Sequence, residues 1–193
     1  MKETDGARVR ILDASERLFA DDGFDATPTS SIAKLAGVPK GLLFYYFPTK
    51  SDVLRALVAE RLDLGPIDTT ELIEPGDPAR ALMNLARKIS EIESGSPVLQ
   101  VIVWREQRTH PEVRAKLHEH RAQVQGVVEH VLRGSLLRPI ATRTIRAAAA
   151  AWVAILAIRP FADHADLDTD DTTPDLPALA ELICGGLGGA ALA

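Results

Sequence analysis

The stretch Thr29–Lys50, TSSIAKLAGVPKGLLFYYFPTK, reads as two short helices about a tight turn, followed by an aromatic cluster and a lysine. Ile32, Ala33, Leu35 and Ala36 give the first helix an apolar face, and Thr29 or Ser30 is predicted to cap its start. Gly37 suits a turn that needs a positive φ, and Val38 is predicted to bury in the angle between the helices. Pro39 stands where a helix can begin without a needed N–H. Lys40 and Gly41 then lie in the first turn of the second helix, while Leu43 and Phe47 return inward at helical spacing. Such a pair is a helix-turn-helix, whose second helix can enter a DNA major groove.

Charge around this stretch agrees. No Asp or Glu occurs from Ala26 to Ser51, whereas Lys34, Lys40 and Lys50 are basic. The chain as a whole carries a formal charge of −5. Phosphate binding needs positive charge only where the duplex touches, and an acidic remainder discourages non-specific contact by other faces.

Outward from the core stretch, helices dominate. The first is predicted from about Ala7 to Asp22, with Ile11, Ala14, Leu18 and Phe19 inward and Gly23 at its end. A fourth, from Lys50 to Leu64, carries Val53, Leu54, Leu57, Val58 and Leu62, and Gly65-Pro66 stops it. After a linker over 66–77, a fifth runs from Pro78 to about Ser94 and a sixth follows Ser96-Pro97. His110-Pro111 breaks the sixth. A seventh spans Glu112 to about Arg133, with Gly134 as its stop. An eighth spans about Pro139 to Ala162. The ninth runs from Leu176 to about Leu187 and ends in a glycine-rich tail of Gly185, Gly186, Gly188 and Gly189. The expected fold is all-α, of about nine helices: a helix-turn-helix domain over 1–50, a connecting helix over 50–64, and a second domain over 65–193.

The N-terminal third resembles the DNA-binding domain of the TetR/AcrR family of bacterial transcriptional regulators. The residues that carry the resemblance are Ile11, Ala14, Leu18, Phe19, Gly23 and Phe24, then Thr29, Ile32, Ala33, Ala36, Gly37 and Val38, then Gly41, Leu43, Tyr45, Tyr46, Phe47, Lys50 and Leu54. Phe44 departs from the family's usual tyrosine, Leu42 from a common Thr or Ser, and Pro39 from a common Ser cap. The first two each remove a hydroxyl that could reach phosphate. The third removes a side-chain N-cap.

What the resemblance implies for DNA falls on Thr29, Ser30, Lys40, Gly41, Leu42, Tyr45, Tyr46 and Lys50. Thr29 and Ser30 open a helix whose free N–H groups suit a phosphate. Lys40 can donate to guanine O6 or N7. Gly41 allows close approach of the backbone, Tyr45 and Tyr46 offer hydroxyls to backbone oxygens, and Lys50 offers a positioning charge.

The rest of the chain is expected to dimerise and to bind a small-molecule effector, as the resemblance implies. Sequence patterning adds to the dimer: RAAAAAWVAILAIRPF and LPALAELICGGLGGAAL are apolar around much of their circumference, which marks burial on more than one side. Trp104, Arg105, Gln107, Arg108 and Trp152 are candidate pocket residues, since apolar walls with a few polar anchors suit such a cavity. The expected protein is a repressor released from a palindromic operator by its effector. The alternatives are a ligand-independent DNA-binding protein and, less favoured, a helical enzyme.

Other classes find little support. The longest apolar run, Ala147 to Ile158, is far short of the roughly 20 residues that span a bilayer, and Arg146 and Arg159 flank it. The single cysteine, Cys184, forms no intramolecular disulfide, and no apolar leader is visible near Glu3 and Asp5, so a cytoplasmic location is expected. Glu106 and His110 have ligand spacing but abut Pro111. No HExxH, P-loop, GxSxG or CxxC pattern occurs, so neither enzyme, metal nor cofactor is expected. The aspartates Asp163, Asp166, Asp168, Asp170, Asp171 and Asp175 lack EF-hand spacing and read as a solvated acidic linker.

Overall fold

The structure is a computed structural model that describes residues 2–93, 99–162 and 175–189. Among those residues it contains nine helices and no strand. They are α1 (Lys2–Asp21), α2 (Thr29–Leu35), α3 (Lys40–Tyr46), α4 (Lys50–Arg61), α5 (Pro78–Glu93), α6 (Leu99–Glu106), α7 (Pro111–Ser135), α8 (Thr142–Ala162) and α9 (Leu176–Gly189). The helices form two compact units, one of Met1–Asp63 with Glu93–His120, the other of Leu64–Ile92 with Arg121–Ala193.

In the first unit α1 packs against α2, α3, α4 and α6. Its apolar stripe places Ile11, Leu12 and Phe19 in a core with Ile32, Leu43, Leu54, Leu57 and Ile102, all essentially without solvent contact. Full burial of each such side chain contributes about 1.5–3 kcal/mol, so this core outweighs the ion pairs at its edge. Those pairs, Arg8 with Glu60 and Arg61 with Asp13 and Glu16, fasten α1 to α4 on the surface. His120, at the end of the unit, donates from Nδ1 to the Leu62 carbonyl at 2.8 Å.

In the second unit α5, the later turns of α7, α8 and α9 enclose Leu82, Leu85, Val128, Val131, Leu132, Ala149 and Trp152. Gly134 is not the stop expected of it: α7 continues through it to Ser135. Its role is space, since a Cβ there would stand 2.8 Å from Ile73 Cδ1. Ser135 then ties down the α4–α5 linker. Its hydroxyl donates to Val131 O at 2.9 Å and accepts from Glu74 N at 3.1 Å, while its carbonyl accepts from Gly76 N at 2.8 Å.

The ninth helix, α9, runs through Gly185 and Gly186 and extends past the expected end at Leu187 to Gly189. The buried Leu187 holds this last turn against the core, which overrides the low helix propensity of glycine. Of the acidic run, Asp163 to Asp171 lies outside the described residues. Asp175 caps α9, its Oδ1 accepting from Ala178 N at 3.0 Å. On α8 the residues Ala147, Ala150, Ala151 and Ala154, spaced to share one face, are exposed. On α9 Ala178, Gly185 and Gly186 are exposed, and Leu182 is 73% exposed.

Candidate nucleic-acid interface

Two short helices cannot hold an angle by propensity alone, and here the turn between them is bonded at every step. Gly37 has φ 64°, and its N–H reaches Lys34 O at 3.2 Å while Val38 N reaches Ala33 O at 3.0 Å. This is the paired bonding that closes a helix on a left-handed residue. Arg10 of α1 donates from Nε to Ala36 O at 3.2 Å, satisfying a further carbonyl at that end. Pro39 precedes α3, which starts without a side-chain cap, as its sequence implies. The expected cap of α2 is not made. Pro28 occupies the cap position, so Thr29 and Ser30 fall inside the first turn instead. Among the apolar residues of α2, Ile32, Ala33 and Ala36 are buried, but Leu35 is 46% exposed rather than inward.

On α3 the inward and outward faces are distinct. Leu43 is fully buried and Phe47 closes the core behind it. Lys40, Gly41, Phe44 and Tyr45 face outward, Tyr45 at 76% exposure. The Lys40 ammonium sits 5.7 Å from the centroid of the Phe44 ring, one turn along, so the two share a face. Leu42 and Tyr46 are half-buried, and the Tyr45 and Tyr46 rings meet edge-on at 5.3 Å between centroids. Ser30 and Lys34 of α2 are also exposed, and Thr29 is half-buried.

Lys50 is placed differently from the other lysines. Its Nζ donates to Phe24 O at 2.7 Å, Thr27 O at 3.1 Å and Asp25 O at 3.2 Å, and lies 4.5 Å from the Phe24 ring centroid. An ammonium has three N–H groups, and this conformation uses all of them within the chain. Lys50 therefore acts first as a tie across the α1–α2 loop. The helix it opens is fixed by a capping box between Thr49 and Asp52. The Thr49 hydroxyl, followed by the Thr49 N–H and Arg55, holds the Asp52 carboxyl below its ordinary value of 3.8.

Sequence reading missed what secures the other side of that loop. Thr27 is fully buried and donates to Gly23 O at 2.7 Å. Arg105 of α6 donates to Phe19 O at 3.3 Å. Glu106, also buried, accepts from Phe24 N at 3.3 Å, and His110 meets the Phe24 ring edge-on at 4.5 Å. The Glu106–His110 spacing was visible in sequence, but its partner, Phe24, lies 82 residues away.

The candidate pocket residues divide between the units. Arg105, Gln107 and Arg108 lie in the first, with Arg105 engaged as described. The side chain of Trp104 lies outside the described residues. Trp152 is fully buried in the second unit, and its Nε1–H has no hydrogen-bond partner among the described residues. No group of three or more His, Cys, Asp or Glu among the described residues could hold a metal ion, and no described helix is long and apolar enough to cross a membrane.

A helix-turn-helix with an outward cationic and aromatic face, on a core completed by α1, α4 and α6, is the arrangement of a DNA-binding domain of transcription regulators. Residues 11–57 match the model of "Bacterial regulatory proteins, tetR family". The chain is 36% identical over 62 residues to the fatty acid metabolism regulator protein of Bacillus subtilis, covering 32% of each chain. It is 30% identical over 92 residues to the HTH-type transcriptional regulator AcrR of Shigella flexneri, covering 47% of this chain and 43% of that one. The alignments thus span under half the length of these curated relatives. The fold extends further. A transcriptional regulator from Rhodococcus sp. Rha1 superposes with a TM-score of 0.68 over 96% of this chain and 98% of its own, at 20% identity.

Proposed function

We propose that this chain is a dimeric, effector-responsive repressor that binds a two-fold symmetric operator through α3. The observation that carries the DNA reading is the outward face of Lys40, Phe44 and Tyr45. Those groups stand on a core that leaves them no structural task, in a 26-residue stretch free of carboxylates. Lys40 reads a guanine edge, and Ser30, Thr29, Gly41 and the two tyrosines set the register on the backbone, with Leu42 at the margin. Lys50 acts through the α1–α2 loop.

The dimer reading rests on the exposed alanine face of α8 and the exposed Leu182, Gly185 and Gly186 of α9. Small residues let two helices approach closely, and a two-fold pairing of like surfaces closes on itself. Such a dimer presents two copies of α3 to major grooves about 34–36 Å apart. A cytoplasmic location follows from this role.

Release requires an effector that favours a conformation with the recognition helices wrongly placed. The hydrogen bond from Arg105 to Phe19 of α1, and the contacts of Glu106 and His110 with Phe24 of the α1–α2 loop, give α6 and the residues just before α7 a direct mechanical hold on the DNA-binding helices. Sedimentation of the wild type and of Ala150→Arg tests the assembly. A dimer that the arginine dissociates is expected, with operator affinity falling alongside. A monomeric wild type that binds a single half-site contradicts it.

A further inference from the structure

The second unit buries very little polarity. Among the described residues its only buried polar side chain besides Trp152 is Ser135, and both roles of that hydroxyl are filled by Val131 O and Glu74 N. Trp152 is therefore anomalous. Its indole lies at zero exposure in a cluster of Leu82, Leu85, Ile89, Val128, Ala149 and Ala180, and Nε1–H has no partner among the described residues. An indole N–H is a donor only, so what it lacks is an acceptor. Phenylalanine at this position would leave no such debt, and a buried donor without a partner opposes folding.

We infer that Trp152 is the polar anchor of the effector site, and that the effector is a neutral, largely apolar molecule with one hydrogen-bond acceptor, such as a carbonyl, seated at Nε1. This rests on the reading of the chain as effector-responsive. The surroundings select the class. An anion would need a buried cation or several donors, and a cation would need a buried carboxylate; the described core of this unit offers neither. A neutral carbonyl needs one donor and apolar walls.

The test uses the full chain and its Trp152→Phe variant with methyl ketones of graded chain length, and with fatty acids and alkylamines of the same lengths. Binding is followed by calorimetry and unfolding midpoint. A methyl ketone is expected to bind the wild type in preference to the matched acid and amine. W152F is expected to bind it at least about tenfold more weakly, which is one hydrogen bond converted to affinity. Equal ketone binding by both proteins, preference for the charged probes, or binding of no ketone would each overturn the inference. Operator affinity separates this from the larger reading. Ketone binding that depends on Trp152 but leaves operator affinity unchanged keeps the site and defeats the effector role.

Discussion

The Lys50 ammonium lies 2.7 Å from the carbonyl of Phe24 and 4.5 Å from the centroid of the same residue's ring. One side chain at the start of α4 thus holds both the backbone and the aromatic face of the loop that leads into α2. A charge at this position reads in sequence as a phosphate contact, but its donors are spent on the fold.

Lys50→Met is accordingly expected to destabilise the protein, by about 1–3 kcal/mol, because three carbonyls lose a charged donor. Chemical denaturation measures this. In contrast, the salt dependence of DNA binding by folded K50M should match wild type, since no phosphate contact is removed. A lowered salt slope without loss of stability would assign Lys50 to the duplex instead.

Glu106→Leu strands the Phe24 N–H in a buried setting, with an expected cost of about 1–3 kcal/mol, whereas Glu106→Gln retains an acceptor and should lose much less. Equilibrium unfolding of the two variants, compared side by side, checks the ordering. Equal losses would mean that charge, and not the bond to Phe24, is what matters at this position.

Gly134→Ala places a methyl group 2.8 Å from Ile73 Cδ1 and 3.0 Å from its Cγ2, so the Ile73 side chain must shift to admit it. Overpacking of this kind costs about 1–3 kcal/mol. Adding Ile73→Ala should recover part of the loss, giving a non-additive double-mutant cycle. Strict additivity would contradict the close approach.

Burial, followed by the charge of Asp77, raises the Cys184 thiol to about 11. At pH 8 the thiolate fraction is then only roughly one in a thousand, and alkylation should be slow and should climb with pH through that range. Iodoacetamide labelling of the folded protein over pH 7–10 tests it. Rapid labelling near neutrality would show an accessible, activated thiol.

Local chemistry made the helix-turn-helix legible. Gly37 demands a left-handed turn, Pro39 sets a helix start, and Leu43 and Phe47 carry the inward period. What stayed hidden depends on partners distant in sequence. Nothing near Gly134 announces Ile73 against it, so the glycine reads as a stop. Leu35 reads as inward because helical spacing allows it, yet in a helix of seven residues the core reaches only Ile32, Ala33 and Ala36. The α1–α2 loop clamp joins residues 19–27 to 50 and 105–110, a juxtaposition that no periodicity encodes.

Whether the outward face of α3 reads an inverted repeat is decided by footprinting on the chain's own upstream DNA. Two protected half-sites one helical turn apart are expected at low salt. With Lys40→Ala, stability should be unchanged, affinity should fall at least about tenfold, and discrimination at one base pair of each half-site should relax. Absence of any protected inverted repeat, or K40A protection indistinguishable from wild type, would contradict it.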